Sequence, residues 1–252
     1  MANSRAGATL IYPVHNRAGF LNDTLSGLSD FDVDWDKSEI LVIDDCSTDH
    51  LHEVLAKYSG RLPIRCLSID SSKHPLAGGR SHPITPVYAI NYAVLNSTTE
   101  YVIPSCPEVS PSRCSPKDSM ECFINYPLQP KQCLFATVFH QFQVEGYMKN
   151  VAATLFWPFF FFGKVRRADW ISIGGYEEAF IPYVSMADTE LESRMSRNGF
   201  TYLFFGEPIM IHCWHPVDDF SLHPIEFTKA KAFVWERYKE KRWKSEVSCV
   251  GE

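Results

Sequence analysis

The chain has 252 residues, of which 45% are hydrophobic, and this is enough apolar material to fold as one large globular domain. Its formal net charge of -6 gives no general attraction to a polyphosphate backbone, so nucleic acid is not an expected partner and an anionic ligand would need a local site. The amino-terminal residues lack the basic start and apolar stretch of a secretory signal, and no apolar run approaches the roughly 20 residues that span a bilayer. We therefore expect a soluble, cytoplasmic protein without a transmembrane segment.

Short apolar runs alternate with segments of helical periodicity over the first hundred residues. The apolar runs predict strands at residues 8–12, 39–43, 64–69 and 101–103. The periodic segments predict helices at residues 17–28, 51–58 and 87–95. This alternation is typical of a mainly parallel sheet covered on both faces. The sequence therefore predicts an α/β fold, a three-layer sandwich around a mainly parallel central sheet.

The pattern is weaker after about residue 133. It predicts a strand at residues 134–139, a helix at 188–198, and two short strands at 202–205 and 209–211 joined through residues 206–208. The aromatic stretch 141–164 has no clear period and is interpreted as loops that fold over a site. We predict a domain at residues 1–225, with a nucleotide-binding half at about 1–110 and an acceptor and catalytic half at about 111–225, followed by a C-terminal helix and tail at 226–252.

Eight cysteines occur without any Cys-x-x-Cys pair. A chain of this size does not need disulfide bonds to hold its fold. We therefore expect reduced thiols, most of them buried.

Polar clusters follow three of the predicted strands, at residues 13–17, 44–49 and 106–108. The carboxyl ends of parallel strands meet at one edge of a sheet, and ligands of such sheets collect there. The first strand is not followed by G-x-G-x-x-G, so the pattern is not that of a dinucleotide site. A nucleotide site built from three successive strand ends is predicted instead.

Three sequence blocks occur in a recognisable order. Residues 11–17, IYPVHNR, are similar to the IPVYNR opening of the family 2 glycosyltransferases, with His15 where Tyr is common. Residues 39–49, EILVIDDCSTD, resemble their EIIVVDDGSTD block, with Cys46 in place of Gly. Residues 173–176 and 187–194 resemble their GGFDE and EDxELxxR blocks. The resemblance implies a GT-A (Rossmann-like) fold and a hexosyltransferase-like enzyme. Such an enzyme transfers a sugar, with inversion, from a nucleotide-sugar donor to a saccharide or other hydroxyl acceptor. The simplest donor is a UDP-sugar.

The resemblance also implies which residues bind the nucleotide. Asp45 would accept a hydrogen bond from the base, for which a carboxylate is a strong acceptor, while Asp44 supports the loop. Arg80 would lie near the diphosphate. The alternatives are a helix cap or an Asx turn for Asp45 and an ordinary solvated side chain for Arg80. The complete set of expected nucleotide-binding residues is Pro13, His15, Asn16, Asp44, Asp45, Arg80, Cys106 and Pro107.

Asp188 matches the general base of the family, which deprotonates the acceptor hydroxyl. Ala187 replaces the usual acidic neighbour, and capping of the next helix is an alternative role for Asp188. The resemblance and the aromatic content together place the acceptor at Gly174, Gly175, Tyr176 and Trp170. Turn formation explains the glycines equally well, and aromatic residues are more often part of a core.

The tripeptide Cys106-Pro107-Glu108 stands where the family holds a divalent cation, Mn or Mg. Glu108 is a competent oxygen ligand, whereas Cys106 is a soft donor that suits such a cation poorly. Further ligands are expected from His212 and His215, for which a buried, hydrogen-bonded histidine is the alternative. Because Cys106 and Ala187 replace two carboxylates, the rival hypothesis is a sugar-nucleotide-binding or scaffold protein that kept the fold without catalysis. A nucleotidyltransferase is disfavoured because the first strand is not followed by a Gly-rich, basic phosphate loop.

Overall fold

The computed structural model describes residues 7–77, 86–144, 147–152, 160–181 and 187–215, and the fold is given for these ranges. They contain nine strands and six α-helices, which are numbered here in chain order. The strands are β1 Ala8–Val14, β2 Glu39–Asp45, β3 Ile64–Ile69, β4 Tyr101–Pro104, β5 Val109–Pro111, β6 Gln132–Val144, β7 Tyr147–Ala152, β8 Gly163–Arg166 and β9 Thr201–His212. The helices are α1 Ala18–Leu28, α2 Leu51–Tyr58, α3 Val87–Asn96, α4 Ser119–Asn125, α5 Arg167–Ser172 and α6 Ala187–Arg197.

All nine strands belong to one sheet, whose spatial order is β3-β2-β1-β4-β8-β6-β9-β5, with β7 paired to β6. The pairs from β3 to β4 are all parallel, as expected where each connection contains a helix that crosses back over the sheet. Strand β8 runs antiparallel to both of its neighbours, whereas β6 and β9 form a long parallel pair. The predicted α/β fold with a mainly parallel central sheet is confirmed.

Helices cover both faces of this sheet. Successive residues of a strand point to opposite faces, so Leu10 and Tyr12 pack in the apolar cluster under α1, α2 and α4, while Ile11 between them packs under α3, α5 and α6. All three residues are fully buried. The first strands read as continuous apolar runs because neither of their faces meets water.

The prediction of loops at residues 141–164 was wrong for the part that the structure describes. Strand β6 continues to Val144 and pairs with β7, and β8 follows at Gly163–Arg166. Pairing with β7 allows β6 to extend through residues 141–144, whose own alternation is weak.

The two strands predicted at residues 202–205 and 209–211 form one continuous strand, β9. The register with β6 shifts between Ala136 and Thr137, because their partners on β9 are Phe205 and Ile209. The residues taken for a connection, 206–208, are therefore a bulge within one strand.

Three short elements, β5, α4 and α5, were not predicted from the sequence, because three to seven residues are too few to show a period.

The C-terminal helix expected within residues 226–252 lies outside the described residues. No helix in the described part of the chain has the length and hydropathy needed to cross a bilayer.

Candidate functional site

The two aspartates that end β2 are both buried and hydrogen-bonded to nearby loops. Asp44 Oδ1 accepts from the backbone N–H of Ser47 at 2.8 Å, which closes the turn that leaves the strand. Asp45 Oδ1 accepts from the backbone N–H of Ser71 at 2.9 Å, and its second oxygen accepts from the Ser71 hydroxyl. Neither aspartate caps α2, since no side chain caps the N-terminus of that helix. Each carboxylate oxygen carries two lone pairs, so Asp45 retains acceptor capacity.

The loop after β1 lies against the loop after β2. His15 Nδ1 lies 2.6 Å from the backbone oxygen of Asp45, and because a carbonyl oxygen only accepts, Nδ1 carries the proton. Asn16 Oδ1 accepts from the backbone N–H of Thr48 at 2.7 Å. Asn16 and Cys46 turn the two loops with φ angles of 52° and 56°, in the left-handed region where a glycine is usual. The structure thus brings His15, Asn16 and Asp45 together at the carboxyl edge of the sheet.

Glu108 lies at the same edge, beside the start of α1. Arg17 Nε donates to Glu108 Oε1 at 3.0 Å, and the Glu108 side chain is only 9% exposed. The Glu108 backbone oxygen accepts from the backbone N–H of Cys213 at 2.8 Å, just after β9. The preceding carbonyl, of Pro107, accepts from the Thr24 hydroxyl of α1 at 2.8 Å. Glu108 is therefore fixed to α1 and to the end of β9.

Cys106 lies near two carboxylates, those of Glu108 and Asp188. Burial raises the pKa of its thiol well above the ordinary range, and the nearby carboxylates of Glu108 and Asp188 raise it further. The thiol is therefore neutral at physiological pH. An aspartate at this position would add a third negative charge near Glu108 and Asp188, so Cys106 lowers the negative charge of the site.

Asp188 lies in the first turn of α6, where a negative charge also interacts favourably with the helix dipole. Its Oδ1 accepts a hydrogen bond from the hydroxyl of Tyr176. Burial raises the pKa of Asp188, and the hydrogen bond from Tyr176 acts in the opposite direction. The result is a carboxylate more basic than an ordinary aspartate.

Three histidines cluster where β6 and β9 end. His140 is the pairing partner of His212 across the two strands, and their Nδ1 atoms lie 3.1 Å apart. The ring of His215 lies 5.5 Å from that of His212, centroid to centroid. Burial and the two neighbouring histidines lower the pKa of His212 to about 3, so its imidazole is neutral. Sequence reasoning missed His140, since only the register between β6 and β9 places it here.

The predicted cation ligands are close in the fold without forming a closed set. His212 pairs with Val109, so it lies next to Glu108 across β5 and β9. Within the described ranges, no three His, Cys, Asp or Glu side chains converge on a position that could hold a metal ion. A cation that takes one or two protein ligands and completes its shell with phosphate oxygens and water remains compatible with Glu108.

The residues predicted to contact the acceptor divide into two groups. Tyr176 faces Asp188, as described above. Trp170 is only 1% exposed, and its ring packs on Phe160 and Tyr176 at centroid distances of 5.1 and 5.3 Å. This burial favours the alternative role, in which Trp170 is part of the core.

Gly174 and Gly175 form a tight turn, and a side chain of α6 binds the backbone of this turn. Arg194 donates to the backbone oxygens of Ile173 and Gly175, the latter at 2.6 Å. The φ angles of the two glycines are 85° and 63°. A Cβ atom on Gly175 would lie 2.4 Å from Asn91 Oδ1 and 2.7 Å from Trp170 Nε1. The geometry of the turn thus accounts for glycine at this position without any bound ligand.

We expect Gly175→Ala to lower the free energy of unfolding by about 2–3 kcal/mol, because it combines an unfavourable φ with overpacking. The matched control is Gly199→Ala, where φ is also positive, 79°, but no atom lies within 4 Å of the new Cβ. That variant should lose about 1 kcal/mol, from backbone strain alone. Urea denaturation of both variants measures the difference, and equal losses would contradict the close packing described for Gly175.

A cavity of about 250 Å³ opens beside this turn, between α3 and α5. Its lining is almost entirely apolar and includes Trp170, Gly174 and Gly175, but not Glu108, Cys106 or Asp188. Three of the predicted acceptor residues therefore line a space separate from the carboxylates.

Arg80, the remaining predicted nucleotide residue, lies outside the described residues, as does most of the aromatic stretch before Phe160.

Comparison with known proteins agrees with the fold and with the first two sequence blocks, at residues 11–17 and 39–49. Residues 9–104 match the family model of glycosyl transferase family 2, which confirms the predicted resemblance. No curated protein matches the chain in sequence.

Several solved structures share the fold. The mannosyltransferase PcManGT from Pyrobaculum calidifontis, in complex with GDP-Man and Mn2+, has a TM-score of 0.65 at 13% identity over 94% of this chain and 65% of its own. S. aureus TarS 1-349 with UDP-GlcNAc has a TM-score of 0.67 at 16% identity, covering 90% and 65%. GalNAc-T7 with UDP, GalNAc and Mn2+ has a TM-score of 0.60 at 12% identity, covering 84% and 45%. The chain thus spans at most 65% of these proteins, and at such identities they establish the GT-A fold.

Proposed function

We propose, from the family 2 match over residues 9–104 and the GT-A fold, that this chain is a glycosyltransferase. It transfers a sugar from a nucleotide-sugar donor, a UDP-sugar in the simplest case, to a hydroxyl group of an acceptor with inversion at the anomeric carbon. The observation that carries the proposal is that Glu108, bound by Arg17, and Asp188, bound by Tyr176, both lie near Cys106, at the edge where the loops after β1 and β2 also meet.

Asp188 acts as the general base in this proposal. A carboxylate whose pKa is raised by burial is a better proton acceptor than a solvated aspartate. It removes the proton from the acceptor hydroxyl as that oxygen attacks the anomeric carbon, and the bond to the nucleoside diphosphate breaks on the opposite face. Inversion follows from this single displacement.

The nucleotide is bound by the loops after β1, β2 and β4. Asp45 accepts from the base through its remaining lone pairs, Asp44 keeps its loop closed, and His15 and Asn16 hold the facing loop. Arg80 belongs to the same proposal by its place in the sequence.

Glu108 is proposed to hold a divalent cation, Mn or Mg, together with the donor diphosphate. When bound, such an ion neutralises charge that develops on the leaving diphosphate. Glu108 must then either exchange its contact with Arg17 for the ion or bind the ion through its second carboxylate oxygen. The neutral imidazole of His212 provides a nitrogen ligand nearby, and His215 provides a second. PcManGT and GalNAc-T7, which share the fold, were solved with Mn2+, and this supports the choice of ion.

A second candidate is a sugar-nucleotide-binding protein without catalysis. It is favoured by one observation, the ion pair of Arg17 with Glu108, which already gives that carboxylate a positive partner. Cys106 and Ala187, which replace the carboxylates seen in the family blocks, point the same way. The two candidates differ in metal dependence and in turnover.

The test is titration calorimetry of UDP with Mn2+ and with a chelator, followed by a UDP-release assay on a panel of nucleotide sugars. We expect Mn2+ to strengthen UDP binding at least tenfold and one donor to be consumed. Glu108→Gln, which retains an oxygen acceptor for Arg17, should abolish the Mn2+ effect and leave metal-free binding unchanged. The matched control Glu53→Gln, on the exposed face of α2, should behave as the wild type. Metal-independent binding with no donor consumed would instead support the binding protein.

A further inference from the structure

We infer that Tyr176 is a positioning residue for Asp188: its hydroxyl holds one oxygen of the carboxylate and leaves the other to receive the acceptor proton. The role of Asp188 as base rests on the proposed function, whereas the contact itself does not. The Tyr176 hydroxyl donates to Asp188 Oδ1, and no other hydrogen bond to Asp188 is formed within the described ranges. In the GGFDE block that residues 174–178 resemble, the corresponding position is Phe, which cannot donate.

Tyr176 is held in place independently of Asp188. Its backbone N–H donates to Asn91 Oδ1 at 2.9 Å, and its backbone oxygen accepts from Asn91 Nδ2 at 2.8 Å. Its ring is 4% exposed and packs edge-on against Trp170. The preceding carbonyl, of Gly175, is bound by Arg194. A donor fixed at three points pre-organises the carboxylate, because neither group has to be ordered during the reaction.

Two titratable side chains that interact with Asp188, those of Tyr176 and Cys106, are neutral. Tyr176 lies in the turn after α5, and burial together with the adjacent Asp188 raises the pKa of its hydroxyl well above the ordinary range. Cys106, after β4, carries the neutral thiol described above. Glu108, beyond Cys106, is paired with Arg17. The hydrogen bond from Tyr176 is therefore the principal contact that favours the ionised form of Asp188 against its burial.

The test measures the Asp188 carboxyl directly, by NMR titration of the full chain labelled with 13C at the aspartate side-chain carboxyl. Asp188→Asn assigns the resonance. We expect Tyr176→Phe to raise the pKa of Asp188 by about one pH unit, since loss of a hydrogen bond to the charged form disfavours ionisation. The matched control is Tyr202→Phe, which removes a hydroxyl bonded to Ser196 and to the backbone of Glu192 and should leave the Asp188 titration unchanged.

Two further measurements keep the inference open to refutation. In the wild type labelled at the Tyr ring carbon that bears the hydroxyl, the Tyr176 signal should titrate with the pKa of Asp188, and this dependence should vanish in Asp188→Asn. An unchanged Asp188 pKa in folded Tyr176→Phe, or a Tyr176 signal that ignores Asp188, overturns the inference. If every nucleotide sugar proves inert, the proposed function fails, and these titrations still decide whether Tyr176 holds the carboxylate.

Discussion

Asp188→Asn is expected to lower the rate of sugar transfer by about 10²–10⁴-fold, the usual contribution of a positioned general base. Asparagine keeps the size of the side chain and can still accept from the Tyr176 hydroxyl, but it cannot take the proton of the acceptor. Binding of UDP should change less than twofold, because Asp188 lies on α6, whereas the proposed nucleotide loops follow β1, β2 and β4. UDP release with donor and acceptor measures the first effect, and calorimetry measures the second.

Glu192→Gln is the matched control for this experiment. Glu192 lies one turn further along α6, and its carboxylate accepts from the Ser196 hydroxyl at 3.1 Å, away from Tyr176. It should retain wild-type turnover. Unchanged turnover in Asp188→Asn would remove Asp188 from the mechanism and leave the base to be found elsewhere.

The same assignment predicts the pH dependence of turnover. A base works only when ionised, so the rate should fall as the pH drops through the pKa of Asp188. Burial raises that pKa, and the acid limb should therefore lie above the pH at which a solvated aspartate titrates. In Tyr176→Phe the acid limb should shift to a still higher pH, by the same amount as the pKa of Asp188 measured by NMR. An acid limb at the ordinary aspartate value would show that Asp188 is solvated during turnover.

Arg194→Met should destabilise the fold by about 3–5 kcal/mol, the usual result of breaking a buried ion pair from one side. The side chains of Arg194 and Glu190 are 1% and 2% exposed, and they are joined by two hydrogen bonds of 2.9 and 2.8 Å. Methionine leaves the charge of Glu190 buried without its partner and leaves the carbonyls of Ile173 and Gly175 without a donor. Urea denaturation measures the loss of unfolding free energy.

Two variants define the origin of this effect. Arg197→Met, at an exposed position of the same helix, should change stability by less than about 0.5 kcal/mol. Adding Glu190→Met to Arg194→Met should restore at least about 1 kcal/mol, because it removes the unpaired charge. A loss below about 1 kcal/mol in Arg194→Met alone would mean that the pair is solvated.

Several features of the site were within reach of sequence reasoning because they are local. Asp44 and Asp45 end an apolar strand, and the turn that Asp44 closes contains only four residues, 44–47. The start of α6 places Asp188 in its first turn, as its polar and acidic neighbours indicate. Position along a strand or a helix is encoded by neighbouring residues, so these placements follow from periodicity and turn chemistry.

The contacts that define the site's chemistry lie between residues far apart in the chain. Arg17 meets Glu108, and His140 meets His212. Lys164 is an extreme case: it is fully buried, and its ammonium group donates to the Tyr126 carbonyl at 2.7 Å and lies 4.0 Å from the ring centroid of Tyr101. Nothing adjacent to Lys164 in the sequence distinguishes it from a solvated lysine, because the groups that satisfy it come from other elements.

The sequence by itself determined the alternation of strands and helices, the edge of the sheet at which the polar loops lie, and the family 2 blocks. Each of these features depends only on residues that are close together in the chain. Only the tertiary structure decided that Trp170 is core, that Gly175 is required by packing, and that Tyr176 rather than a second carboxylate stands beside Asp188. The reason is physical: burial and hydrogen bonding depend on strand register and on helix packing. Strand register and helix packing bring together side chains that are far apart in the sequence, and the sequence pattern does not indicate these contacts.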